Sequence, residues 1–263
     1  MSDDAAAPDA LTNKSVVKAA RLLRELASQP RSGATATTLA KAVGVSRPTV
    51  FRLLQSLEHT GLVDRVDNNY TLGWELARLG RFADPYTGMV SRAKPLLQDL
   101  ADRFNESVTL SVPTPQDGIE LVAEAYGSHV VGVMHQGMIG EHYPLHASST
   151  GKVFLADLPP ERARALLPER LEAYTEQTIT DRVQLLRELD RVREQGYSII
   201  DNELEEGLLS LSRPVHDPSG VLIAILTLNG PRYRLSRDRI PGALQQMQET
   251  VERLRSSLWD EQA

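Results

Sequence analysis

Cysteine is absent from the 263-residue chain, which excludes disulfides, thiolate metal ligands and cysteine nucleophiles. Long apolar runs are absent too. The clearest, Val221 to Leu226, falls far short of the roughly 20 residues that a membrane helix needs. Residues 1–10 hold three aspartates and no basic residue, so no secretory signal is expected there. No G-x-S-x-G run occurs, which argues against a serine-hydrolase elbow. There is no internal repeat, and no low-complexity stretch beyond the first ten residues. What is present is an ordinary globular composition, 41% hydrophobic and 24% charged, on a chain long enough for two domains. Such a composition excludes a wholly disordered or collagen-like chain.

The formal net charge is −6, which taken whole speaks mildly against a nucleic-acid partner. Its distribution says something else. Residues 1–10 carry −3. Residues 11–82 hold eleven Lys/Arg against five Asp/Glu, a surplus of six positive charges. Residues 83–263 hold eighteen bases against twenty-seven acids, or −9. A basic module precedes an acidic one, and charge asymmetry of this kind points to nucleic-acid binding in the basic part.

The pattern within that part is specific. Residues 14–28 place Val16, Ala19, Leu22, Leu23 and Leu26 on one helical face, with Asn13 or Ser15 as N-cap and Pro30 beyond the end. A second helix is expected from about Thr37 to Val43, broken by Gly44 in a left-handed conformation. Ser46 and Pro48 then suit the start of a third, about Arg47 to His59, with Val50, Leu53, Leu54 and Leu57 inward. Small Ala40 lets the two helices approach, as a helix-turn-helix requires. The outward residues Arg47, Thr49, Arg52 and Gln55, with Ser46 at the helix start, can donate to phosphates or base edges in a major groove. After Gly61 the period changes to two (Leu62, Val63, Arg65, Val66; Tyr70, Thr71, Leu72) around Asp67-Asn68-Asn69, the signature of a hairpin wing that carries Arg65.

Beyond it, Gly73 to Arg81 reads as a linker helix with Trp74, Leu76, Ala77 and Leu79, ending near Asp84-Pro85. The expected division is an acidic tail without fixed structure at 1–10, a winged helix-turn-helix at 11–73, a linker at 74–92 and a second domain at 93–263. In the second domain a helix is expected from Ala93 to Phe104, then strands at Ser107–Pro113, Ile119–Tyr126 and His129–His135. Helices follow at Thr150–Asp157, Pro160–Leu167 and Asp181–Gln195, the last with a stripe of Val183, Leu186, Leu189 and Val192. Strands resume at Tyr197–Asp201, Ser210–His216 and Val221–Asn229. A final helix carries Leu244, Met247, Val251, Leu254 and Leu258 toward either its own domain or a second subunit. This order suggests a mixed or antiparallel sheet flanked by helices.

The most unusual stretch is His142 to Lys152, where small polar residues lead into an apolar helix. Free N–H groups at that helix start favour an anion, or Ser149 or Thr150 simply caps it. It is not a phosphate-binding P-loop, since His146 stands where glycine is required and Val153 where Ser or Thr is. His129, His135, His142 and His146 lie close in sequence, either as metal ligands or as hydrogen-bonded side chains; Pro144 argues against a zinc helix. The acidic run Asp201 to Gly207 is either a solvated loop or the mouth of a pocket with Ser210. No catalytic constellation, metal site or cofactor motif is seen.

Ser46 to Glu58, Gly61-Leu62-Val63 and Tyr70-Thr71-Leu72-Gly73 resemble the DNA-binding domain of IclR-type transcriptional regulators. Pro144 to Lys152 is similar to that family's effector-domain signature, joined by Thr178-Ile179-Thr180, Arg193 with Gly196-Tyr197, Glu203 with Gly207, and Pro214-Val215. The resemblance covers about residues 13–258. It implies an α+β chain, a winged helix-turn-helix joined by a linker helix to a GAF-like domain that binds a small organic acid or aromatic metabolite. It also implies a cytoplasmic homodimer or homotetramer, more often repressing than activating, without cofactor or membrane contact. A two-fold dimer predicts a palindromic operator in double-stranded DNA. By position, the effector would meet Ala147, Ser148, Ser149, Thr150, Gly151, Asp201, Glu203 and Ser210. Several members have cysteine where Ser210 stands, and some have Gly-Ala at Ser149-Thr150. The alternatives are a metabolite-handling enzyme with an accessory basic domain and a module whose helix-turn-helix packs against protein.

Overall fold

The computed structural model describes residues 12–30, 32–80, 82, 86–114, 117–128 and 144–259. Several expectations fall outside these residues: the acidic tail, the Asp84-Pro85 boundary, the strand at His129–His135, and His142. The chain divides into two compact units between Pro85 and Tyr86.

The first unit opens with helix α1 (Lys14–Ser28), capped by Asn13, whose Oδ1 accepts from Ser15 N at 2.9 Å. Helices α2 (Ala36–Val43) and α3 (Arg47–His59) follow, and Gly44 turns between them at φ 65. Such a left-handed φ suits glycine, which has no Cβ to clash. A three-stranded antiparallel sheet completes the unit: β1 (Ala34–Thr35), β2 (Val63–Val66) and β3 (Asn69–Leu72), in the order β1-β3-β2. Strand β1 is too short to show any alternation in sequence. Leu22, Leu26, Leu39, Val50, Leu54, Leu57, Val63 and Tyr70 form the core. The expected α1 stripe is cut back at its start, since Val16 remains 65% exposed while Leu22 and Leu26 are buried. Helix α4 (Trp74–Gly80) buries none of its residues fully: Trp74 is 61% and Leu79 46% exposed, and Leu76 is half-buried.

The second unit begins with α5 (Thr87–Phe104), six residues earlier than the expected start at Ala93. Met89, Ala93, Leu97, Leu100 and Ala101 carry one continuous buried stripe through it. Pro95 sits on the exposed face, where water can satisfy the carbonyl it leaves unpaired. Then come β4 (Ser107–Pro113), β5 (Ile119–Ala125), α6 (Ser149–Asp157), α7 (Pro160–Leu166), α8 (Arg182–Gln195), β6 (Ser198–Asp201), β7 (Leu208–His216), β8 (Leu222–Pro231) and α9 (Ile240–Trp259). Among the described residues the sheet runs β5-β4-β8-β7-β6 with every neighbour antiparallel.

Strand alternation gives this sheet two unlike faces. Val108, Leu110, Leu209, Leu211, Leu226 and Leu228 form one, packed against α5 and α9. The α9 stripe of Leu244, Met247, Val251 and Leu254 is therefore spent on its own domain. On the other face lie α6 and α8, over Leu222 and Ile225. Helix α8 buries Leu185, Leu189 and Val192, and Val183 is 56% exposed. The expected spacing of threes drifts off a 3.6-residue turn, whereas a four and a three stay on one face.

Candidate nucleic-acid and effector sites

On the first unit, Arg47, Arg52 and Gln55 are exposed on α3, and their side chains make no hydrogen bond or ion pair with any described residue. Ser46 occupies the N-cap position without capping a backbone amide; its Oγ lies 2.9 Å from Thr49 Oγ1, so these two hydroxyls engage each other. Thr49 is half-buried. Arg65 projects from the hairpin, with its guanidinium 5.5 Å from the Tyr70 ring centre and Nε donating to the Asp67 carbonyl at 3.0 Å. Phe51, which outward-polarity reasoning passed over, is 39% exposed. It stands one helical turn from both Arg47 and Gln55, and that spacing of four was the available signal.

On the second unit the turn leading into α6 is built tightly. The cap is Ser148 rather than Ser149 or Thr150: its Oγ accepts from Gly151 N at 3.0 Å and donates to the Pro144 carbonyl at 2.9 Å. A Cβ at Gly151 would come within 2.4 Å of the Leu145 backbone, so the turn admits only glycine there. Ala147 is fully buried.

Capping by Ser148 frees the next two hydroxyls for the sheet. Ser149 Oγ lies 2.6 Å from Ser210 Oγ, and Thr150 Oγ1 lies 2.9 Å from Thr227 Oγ1. Ser212 donates to Ser149 at 2.7 Å and lies 2.7 Å from Thr227, while Ser210 donates to Asn229 Oδ1 at 2.7 Å. Each hydroxyl has one proton, so the directions follow from the amide end. The donors run Thr150, Thr227, Ser212, Ser149, Ser210, and the last acceptor is Asn229. All six residues are buried. Across the strand pair from Ser212, Ser198 Oγ is buried without a partner among the described residues. Ser212, Thr227 and Asn229 were missed in the sequence. Their signal was polar residues at every second position inside otherwise apolar strands.

The acidic candidates go elsewhere. Asp201 pairs across the sheet with Leu209, hence on the face opposite Ser210, and binds Arg232 at 2.9 Å and Arg237 at 3.3 Å. Glu203 is held by Lys152, which is entirely buried, and its backbone carbonyl accepts from Thr178 Oγ1 at 2.6 Å. Burial pushes the Glu203 carboxyl up, against the opposing pull of Lys152. His146 is buried and its ring is hydrogen-bonded to the Glu172 carbonyl at 2.8 Å. Among the described residues no group of three or more His, Asp or Glu is placed to hold a metal. None of the described helices is long and apolar enough to cross a membrane.

Residues 86–256 match the family described as the bacterial transcriptional regulator IclR C-terminal domain, and residues 15–67 match the IclR helix-turn-helix domain. The chain belongs to the IclR family. This IclR-family protein is similar to the regulator KdgR of Escherichia coli, 31% identical over 240 residues that cover 89% of this chain and 87% of KdgR. The Escherichia coli transcriptional repressor IclR is 29% identical over 90% of this chain and 86% of its own. Among solved structures, an IclR regulator from Silicibacter shares the fold at TM-score 0.74, with 24% identity over 93% of this chain and 96% of that one. HmgR of Pseudomonas aeruginosa matches at TM-score 0.64 and 29% identity, over 95% of this chain and all of its own. The IclR-family assignment makes this a DNA-binding transcriptional regulator and not an enzyme.

Proposed function

We propose that this chain is a ligand-responsive repressor that binds a palindromic operator as a homodimer or homotetramer in the cytoplasm. The observation that carries the DNA side is the exposed, uncommitted set Arg47, Arg52 and Gln55 on α3, with Ser46, Thr49 and Arg65 beside it on a unit that is positively charged. Repression is supported by relatives named as repressors, among them the acetate operon repressor of Salmonella typhimurium. Dimer formation is supported by the open apolar side chains Val16, Trp74 and Leu79 of the first unit. Half-sites in such a dimer lie about 34 Å apart, or a multiple of that.

The effector, a small organic acid or aromatic metabolite, meets the start of α6. Ser149, Thr150 and Ser210 supply hydroxyls that can rotate from their present hydrogen-bond partners onto a ligand, and Ala147, Ser148 and Gly151 hold the turn. Asp201 and Glu203 contribute by fixing the strand and loop beside it through their ion pairs. An effector shifts operator affinity only by binding the two states unequally.

The test is a salt titration of binding to DNA upstream of the protein's own gene, with and without small carboxylates. Specific binding that falls steeply with salt, and that an acid weakens, is expected. Flat salt dependence or no binding sinks the DNA reading. Salt-sensitive binding indifferent to every acid sinks the effector reading alone.

A further inference from the structure

A cavity of about 740 Å³ lies on the second unit, lined on its apolar side by Ile119, Leu145 and Leu167 and on its polar side by His146, Arg170 and Tyr174. It lies away from the hydroxyl chain, none of whose members lines it. Small-molecule sites are commonly cavities of about 300–1,000 Å³ with apolar walls and a few convergent polar groups.

Two of its polar groups are uncommitted. The Glu172 carbonyl can only accept, so the His146 nitrogen 2.8 Å from it, Nε2, carries a proton, and in the neutral ring Nδ1 then presents a lone pair. Among the described residues nothing donates to that lone pair. The Arg170 guanidinium likewise has no ion pair or hydrogen bond with a described residue. Tyr174 is already engaged: its hydroxyl donates to Glu172 Oε2 at 3.1 Å, and its ring centre lies 5.7 Å from that of His146. It serves as a wall.

The geometry points to a second small-molecule site, for a hydroxylated monocarboxylic acid with an apolar body. Arg170 takes the carboxylate, His146 Nδ1 accepts from the hydroxyl, and Ile119, Leu145 and Leu167 cover the carbon skeleton. The site abuts the turn that starts α6, because Pro144 lines the cavity and its carbonyl accepts from the Ser148 cap. A ligand there restrains the same turn from its other side, whether or not the effector binds the hydroxyl chain.

Calorimetric titration of the full-length protein with para-hydroxybenzoate, benzoate and phenol tests this. Para-hydroxybenzoate should bind, and losing either its hydroxyl or its carboxylate should weaken binding by about tenfold. Arg170→Met, at an exposed position, should weaken para-hydroxybenzoate about tenfold and leave phenol unchanged. Ser210→Ala reports on the hydroxyl chain. Binding that falls with Ser210→Ala and not with Arg170→Met overturns the proposal, as does benzoate binding equally well, or no binding of para-hydroxybenzoate at millimolar concentration.

Discussion

The Lys152 ammonium stands 2.6 and 2.7 Å from the two carboxylate oxygens of Glu203, and Lys152 is completely buried. The pair ties the first turns of α6 to the loop between β6 and β7. Thr175 and Thr178 reinforce that loop by donating to the carbonyls of Asn202 and Glu203. Burying two charges is favourable only when each is fully paired, so the pair specifies where α6 sits more than it adds stability.

Glu203→Gln keeps the shape of the side chain and removes its charge, so it reads out what ionisation of Glu203 does to the folded state. It should alter the pH dependence. Burial raises the Glu203 pKa, so the folded state holds this proton to higher pH than the unfolded chain, where glutamate titrates near about 4.3. The group's contribution to stability is then greatest below the unfolded value and is lost as pH rises through the raised one. Denaturant melts of wild type and variant across this window should show wild type losing stability relative to Glu203→Gln as pH rises. A constant difference would refute the shift.

Ser212 sits in the middle of the hydroxyl chain, donating to Ser149 and accepting from Thr227. Ser212→Ala leaves two buried hydroxyls short of a partner and should destabilise the protein by about 1–3 kcal/mol. Replacing Thr227 by Val in the same background should cost less than the two single changes together, because the neighbours share partners. Strict additivity in chemical denaturation would show that the chain is not connected.

Gly151→Ala places a methyl group within 2.4 Å of the Leu145 backbone, which cannot move aside as a side-chain tip would. Overpacking of this kind typically costs about 1–3 kcal/mol or more. A melting temperature unchanged from wild type would mean that the turn is looser than its hydrogen bonds imply.

Arg52→Ala should weaken operator binding and lower the slope of log affinity against log salt by about one if the side chain meets a phosphate. Phe51→Ala should act differently. An exposed ring between Arg47 and Gln55 suits a thymine methyl, so this change should leave the salt slope alone and relax sequence preference by about 1–3 kcal/mol at one position. Selection of operators from a random pool separates the two outcomes. Equal preference in wild type and Phe51→Ala would remove Phe51 from base reading.

Local chemistry made much of this legible beforehand. The α1 cap at Asn13, the left-handed Gly44 and the limits of α3 all depend on residues within a few positions of one another, so they could be read directly. Val16 and Val183 misled because periodicity reports which residues share a face but not whether a neighbouring element covers it. Ser149 and Thr150 misled as caps because their true partners are 61 and 77 residues distant.

The amino-acid order by itself determined a basic winged helix-turn-helix ahead of an acidic α+β domain, since helix periods, caps and turn residues act over short range. Only tertiary structure decided which polar groups meet. Strand register set Ser210 toward Ser149 and turned Asp201 away, because neighbouring strands place opposed residues on the same face. The same packing buried Lys152 against Glu203 and placed His146 and Arg170 in the wall of one cavity. Those choices depend on contacts between segments far apart in sequence, which no local pattern encodes.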